Sequence, residues 1–134
     1  MAFKARLNFS GKDYDVLNCS YAFNRDVDSK GRPSSGVYGG TIDIEIESTE
    51  DTSIVEAMVN NQFKPISGSL VIKKSEEDAK MKEVDFQDGY IIKYSEGLNI
   101  LGETPMSLKF TISARSLKLG NAQQVNDWPG QTTT

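Results

Sequence analysis

Residues 41–47, "TIDIEIE", alternate apolar and acidic side chains without a break. Successive side chains along an extended backbone point to opposite faces. Ile42, Ile44 and Ile46 therefore share one face and Asp43, Glu45 and Glu47 the other, the signature of a half-buried strand. A helix would scatter the three isoleucines around its circumference. The same period of two recurs through most of the chain and commits it to β structure.

Phe3, Ala5, Leu7 and Phe9 alternate with Lys4, Arg6 and Asn8 over residues 2–9. "SGKD" follows as a hairpin turn in which Gly11 takes a positive φ. A second strand runs from about Tyr14 to Phe23, with Leu17, Cys19, Tyr21 and Phe23 on one face. "SGSLVIKK" is another strand and "SEEDAKM" a polar connection. "KEVDFQDGYIIKYSEGLNIL" reads as two strands or one long bent strand, with a turn or bulge at Gly89 and another at Gly97. In "PMSLKFTISARSLKLG", Met106, Leu108, Phe110, Ile112 and Ala114 share a face, and Leu117 and Leu119 switch to the other parity. Such a phase flip near Arg115 and Ser116 marks a bulge or a change of packing partner. The aromatic residues Phe3, Phe9, Tyr21, Phe23, Phe86 and Phe110 all fall at core-facing phases. The tail from residue 121 to 134 is polar and reads as frayed apart from Trp128.

Only "STEDTSIVEAMVNNQ" changes period. Asp51, Thr52 or Ser53 suits a helix start, Ser53 and Glu56 have capping-box spacing, and Pro65 blocks continuation. One short helix over about 52–62 follows. The fold class is mainly β: a small β-barrel of two packed antiparallel sheets with one flanking α-helix, in a single domain spanning 1–134.

Composition removes several functions. The chain has 134 residues, a net charge of −4, one cysteine and no histidine. The acidic balance disfavours nucleic acid and anionic membranes as partners. Cys19 has no second cysteine to pair with, and the usual zinc and thiolate sites lack ligands. The commonest general base is missing too, and the nucleophile elbow and phosphate-binding loops do not occur. Neither a catalytic residue, nor a metal, nor a cofactor is expected. No apolar run exceeds three residues, so membrane insertion is not expected. "MAFKARLNFSG" reads as a strand rather than a secretion signal. The expectation is a chain made in the cytoplasm that leaves the cell only by a route without a cleaved signal.

One stretch breaks the alternation: "NRDVDSKGRPSSGVYGG", residues 24–40. Its first charges, "DVDSKG", resemble the opening of a calcium loop. Lys30 stands where a third oxygen ligand is needed, however, and Val37 where a bidentate glutamate would sit, so a charged turn fits better. Asp43, Glu45 and Glu47 read as a solvated strand face, or as part of a polar surface built by several subunits. Long loops in small domains are usually functional or disordered.

This stretch and its continuation "TIDIEIESTEDTSIVEAMVNNQFKPISG", with "DAKMKEVDFQDGYIIKYSEG" and "PMSLKFTISARSLKLGNAQQVNDWP", closely resemble the tube-forming protein of type VI secretion systems. That is the haemolysin-coregulated protein family, Hcp or TssD, in a divergent branch. The resemblance covers nearly the whole chain and implies a non-enzymatic structural role. Six copies would form a ring. Rings would stack into a tube inside a contractile sheath, and the tube, tipped by a spike, would be driven into a target cell. Effectors would ride in the lumen. The implied partners are the chain itself, sheath and spike components, and effector proteins. The implied location is the bacterial cytoplasm, then secretion through the type VI system.

The resemblance also implies that residues 24–40 reach a neighbouring subunit or ring, with Arg25, Asp26, Asp28, Lys30, Arg32, Pro33 and Tyr38 as contact residues and nothing to hold the loop when the subunit is alone. Asp43, Glu45 and Glu47 become a candidate lumen or interface strand. Two alternatives stay open: a tube protein of a related contractile injection system or phage tail, and a monomeric ligand-binding β-barrel with an enclosed apolar pocket.

Overall fold

Seven strands and one helix follow one another as β1 (Phe3–Phe9), β2 (Lys12–Tyr21), β3 (Thr41–Glu47), α1 (Ser53–Val59), β4 (Ile66–Lys74), β5 (Ala79–Leu98), β6 (Met106–Leu119) and β7 (Ala122–Val125). The structure, a computed structural model, describes residues 3–60, 63–74, 79–102, 106–126 and 128. All neighbouring strands pair antiparallel in the order β3-β2-β1-β4-β5-β6-β7. Pairing of β3 with β6 closes the first six into a barrel, and β7 pairs with β6 beyond the end of β3.

Local chemistry explains the tightest turn. Phe9 pairs with Lys12, leaving only Ser10 and Gly11 between the strands. Their φ angles are 53° and 76°, as a two-residue hairpin matched to strand twist requires.

Alternation fills the interior. Leu7 and Phe9 of β1, Ile42, Ile44 and Ile46 of β3, Leu70 of β4, Val84 and Phe86 of β5, and Leu108, Phe110 and Ile112 of β6 form one buried cluster. The rings of Phe86 and Phe110 are among its largest members. The interior is thus occupied by side chains, and the concavities lined by described residues lie on the outside of the barrel.

Several expectations need correcting. In β2 the register slips between Val16 and Asn18. Val16, Cys19 and Tyr21 pack on the core while Leu17 is 50% exposed, because a bulge at Leu17 reverses the parity of everything after it. Phe23 lies beyond β2, and both it and Phe3 are exposed. Ala79, Lys80 and Met81 belong to β5 rather than to a polar connection; residues 75–78 lie outside the described residues. Of the two readings left open for "KEVDFQDGYIIKYSEGL", one long strand holds, irregular near Gly89 where its register with β4 shifts, while Gly97, expected at a turn or bulge, pairs in register with Ser107. Along β6 the change of parity is a change of partner: β3 ends opposite Ser113 and β7 begins opposite Ser116. Residues 122–125 therefore form a strand where a frayed tail was expected, and Trp128 packs on Tyr90 with ring centroids 6.0 Å apart.

The helix spans Ser53–Val59, shorter than 52–62; residues 61 and 62 lie outside the described residues. The expected Ser53–Glu56 box does not form. Asp51 Oδ1 accepts the Ser53 N–H at 2.8 Å and the Ser53 hydroxyl at 2.6 Å, while the Thr52 hydroxyl donates to Glu56. Tyr14 OH and Lys12 Nζ also reach Asp51, at 3.1 and 3.3 Å. One carboxylate thereby ties the helix start to β2 beside the β1–β2 turn, and Ile54 is buried in the core.

Candidate functional site

The stretch 24–40 is a two-stranded arm held by its own hydrogen bonds. Asn24 and Tyr38 exchange both backbone bonds, at 2.9 and 2.6 Å, and Val27 bridges to Pro33. Asp28 N donates to Arg32 O and Ser34 N to Asp26 O, each at 2.8 Å. At the tip, Gly31 takes φ 85°. There Asp28 Oδ1 accepts the N–H groups of Lys30 and Arg32 at 2.9 and 3.0 Å, and Asp28 Oδ2 accepts Arg32 Nε at 3.0 Å. The Arg32 N–H foremost, then that of Lys30, holds the Asp28 carboxyl below the ordinary carboxylate range.

The other charges are used the same way. Arg25 Nε and Nη2 donate to Ser35 O at 3.1 and 3.0 Å. Tyr38 OH donates to Asp26 Oδ2 at 3.0 Å. The expectation of a loop with nothing to hold it alone is therefore overturned. Arg25, Asp26, Asp28, Arg32 and Tyr38 tie the arm to itself, Pro33 sits in its ladder, and Lys30 joins through its backbone. What the arm turns outward is mixed: Val27 is 60% exposed and Val37 and Tyr38 are exposed as well, among exposed Arg25, Asp26, Lys30 and Arg32. The sequence signal for this was there, two valines and a tyrosine among the charges.

The root of the arm is a pair of glycines. A Cβ at Gly39 would lie 2.4 Å from the Phe23 ring. Gly40 has φ 113°, and a Cβ there would lie 2.5 Å from Asn126 Nδ2 and 2.8 Å from Ala114 O. Asn126 Nδ2 donates to Gly39 O at 3.0 Å and to Ala114 O at 3.2 Å. Gln124 Nε2 donates to Val37 O at 2.9 Å and to Asn126 Oδ1 at 3.2 Å. Both amides lie in the polar tail, where residue types alone give no hint of the contact.

Asp43 and Glu45 form part of a wider polar face built by β2, β3, β6 and β5. Register sets it in rows: Ser20, Asp43, Thr111 and Lys93 in one, Asn18, Glu45, Lys109 and Ser95 in the next. Glu47 stands opposite Ser107 and Gly97 beyond it. Thr111 Oγ1 donates to Asp43 Oδ1 at 2.6 Å and Ser107 Oγ to Glu45 Oε2 at 2.9 Å. The face carries a shallow groove of about 490 Å³. Lysines interleave with the carboxylates, so it is polar and of mixed charge rather than an acid–base pair. The arm and this face flank β3 from its N-terminal end and its outer side. No cluster of three or more potential metal ligands occurs among the described residues, and no helix among them is long and apolar enough to cross a membrane.

Comparison with known proteins matches this arrangement to one family. Residues 1–129 match the family model for the haemolysin-coregulated protein Hcp (TssD). Hcp1 from Flavobacterium johnsoniae is 40% identical, with a TM-score of 0.87 over 92% of this chain and 99% of that one. Hcp1 from Salmonella typhimurium is 15% identical, with a TM-score of 0.73 over 89% of this chain and 86% of that one. A chain of the sheath–tube complex of an extracellular contractile injection system, PVC, is 10% identical and shares the fold, with a TM-score of 0.53 over 92% and 88%. No curated protein matches the chain at a significant level.

Proposed function

The chain belongs to the Hcp (TssD) family, a family of structural tube proteins and not of enzymes, and from that premise we propose that six copies form a ring and that rings stack into the inner tube of a type VI secretion system. The observation that carries this is the four-stranded polar face of β2, β3, β6 and β5. A hydroxyl- and charge-bearing outer wall suits water on either side of a ring, and membership of a tube-protein family favours the lumen side. Six such walls side by side line a hydrophilic lumen. A closed ring needs a heterologous contact, one patch meeting a different patch on the next copy.

Apolar surface suited to such contacts is present elsewhere. Leu98, Ile100 and Leu101 are exposed at the β5–β6 turn, and Val59, Phe63 and Ile92 are exposed beside the helix. Exposed apolar patches of this kind mark interaction sites. The arm is the contact to the next subunit or ring, made by Val27, Val37 and Tyr38 with Lys30 at the tip. Arg25, Asp26, Asp28, Arg32 and Pro33 give it shape. In this reading the sheath surrounds the tube, the spike caps it, and effector proteins travel against the polar wall. Assembly occurs in the bacterial cytoplasm, before the tube is expelled.

Negative-stain microscopy of the purified protein tests the ring directly. Six-fold rings are the expected image. A protein that stays monomeric at high concentration overturns the proposal.

A further inference from the structure

We propose that Gln124 and Asn126 are positioning residues that fix the angle at which the 24–40 arm leaves the barrel. This rests on the arm being an inter-subunit contact, and it assigns the setting of that contact to the C-terminal strand. The arm's internal bonds fix its shape but not its direction. Direction is decided at the root, and there the chain has Gly39 and Gly40 in series, the most permissive backbone joint available. With the other leg joined to β2 through Ala22 and Phe23, such a joint still leaves the angle of the arm loosely set.

The two amides span that joint. Asn126 Nδ2 spends one hydrogen on Gly39 O, on the arm side, and the other on Ala114 O, in the barrel wall. Its own backbone is anchored, since Asn126 N donates to Arg115 O at 2.7 Å. Gln124 Nε2 reaches two residues farther along the arm, to Val37 O, and also donates to Asn126 Oδ1. Ala114 N closes the set by donating to Gly40 O at 2.7 Å. The glycine is cut to fit the clamp: a Cβ at Gly40 would fall on the Asn126 amide. The place where β6 passes from β3 to β7 is therefore also where the arm is aimed.

A purely structural role would only satisfy three carbonyls, so the test reads direction. Nitroxides at Ser29 in the arm and Ser69 on β4, in a Cys19→Ser background, report their separation by dipolar spectroscopy, with labelled chain diluted into excess unlabelled chain. The parent is expected to give one narrow distance. Gln124→Glu with Asn126→Asp keeps size and removes the donors. Each lost bond weakens the closed root roughly fivefold, so the distribution broadens or splits, rings remain and stacking is lost. Gln124→Ala, which removes only the bonds to Val37 O and Asn126 Oδ1, broadens it less and serves if the double variant does not fold. An unchanged narrow distance in a folded variant overturns the proposal. Deletion of residues 28–35 is the separate control: stacking that survives it sinks the arm's role as a contact, while the distance measurement still decides the clamp.

Discussion

Arg115 Nε donates to Asp88 Oδ2 at 2.8 Å, joining the irregular point of β5 to the point where β6 exchanges β3 for β7. Asp88 has φ 53°, unusual for a residue other than glycine. The Arg115 side chain is only 10% exposed. The pair holds two irregularities in one place, and that place adjoins the root of the arm.

Removing one partner strands the other. Asp88→Ala is expected to cost about 2–3 kcal/mol, because the buried guanidinium loses its counter-charge. Arg115→Met is expected to cost less, since Asp88 is one-third exposed and can be hydrated. Equal losses for the two variants in urea denaturation contradict this account of the pair.

Parity in β2 gives a second check. Leu17→Ser is expected to change stability by no more than about 0.5 kcal/mol, as exposed positions do. Val16→Ser is expected to cost about 1–3 kcal/mol by placing an unsatisfied hydroxyl against the core. Thermal or chemical unfolding of the two variants measures the difference, and a reversed order would put Leu17 back on the core face.

That reversal is instructive about what the residue order reveals. The isoleucines of β3 and the Leu108–Ala114 run of β6 announce their faces plainly, because an unbroken alternation has only one parity. Leu17 misleads because a bulge adds a residue without any compositional mark. The polar residues of β7 carry no periodic signal, since that short strand is added to one side of β6 rather than to the core. In the arm the charges were legible but their partners were not: Arg25 and Asp28 read as contacts to a neighbour, and only the fold of 24–40 brings Ser35 and Arg32 to them.

The helix start should be sensitive to acid. The Ser53 hydroxyl, then the Ser53 N–H, with further help from Lys12 and Tyr14, holds the Asp51 carboxyl at about 2. An unfolded aspartate titrates at about 3.9. The folded value is the lower one, so the stabilisation is complete above about pH 4 to 5 and is lost as the pH falls towards 2. The stability difference between the parent and Asp51→Asn is expected to be about 1 kcal/mol at neutral pH and to shrink below pH 4. A difference that grows on acidification contradicts the assignment.

Gly40 should tolerate no side chain. Gly40→Ala combines a disfavoured φ of 113° with contacts to Asn126 and Ala114, and is expected to cost about 1–3 kcal/mol. Gly36→Ala, in the same arm but with open space around it, is expected to be close to neutral. Melting temperatures of the two proteins check the contrast.

Cryo-electron microscopy of the assembled protein tests the central claim most directly, because it shows which wall of the barrel faces the axis. The expected map has six-fold rings with Asp43, Glu45, Lys93 and Lys109 lining the lumen and each 24–40 arm seated on a neighbouring subunit. A map with those four side chains on the outer surface, or particles that never exceed a single subunit, would contradict it.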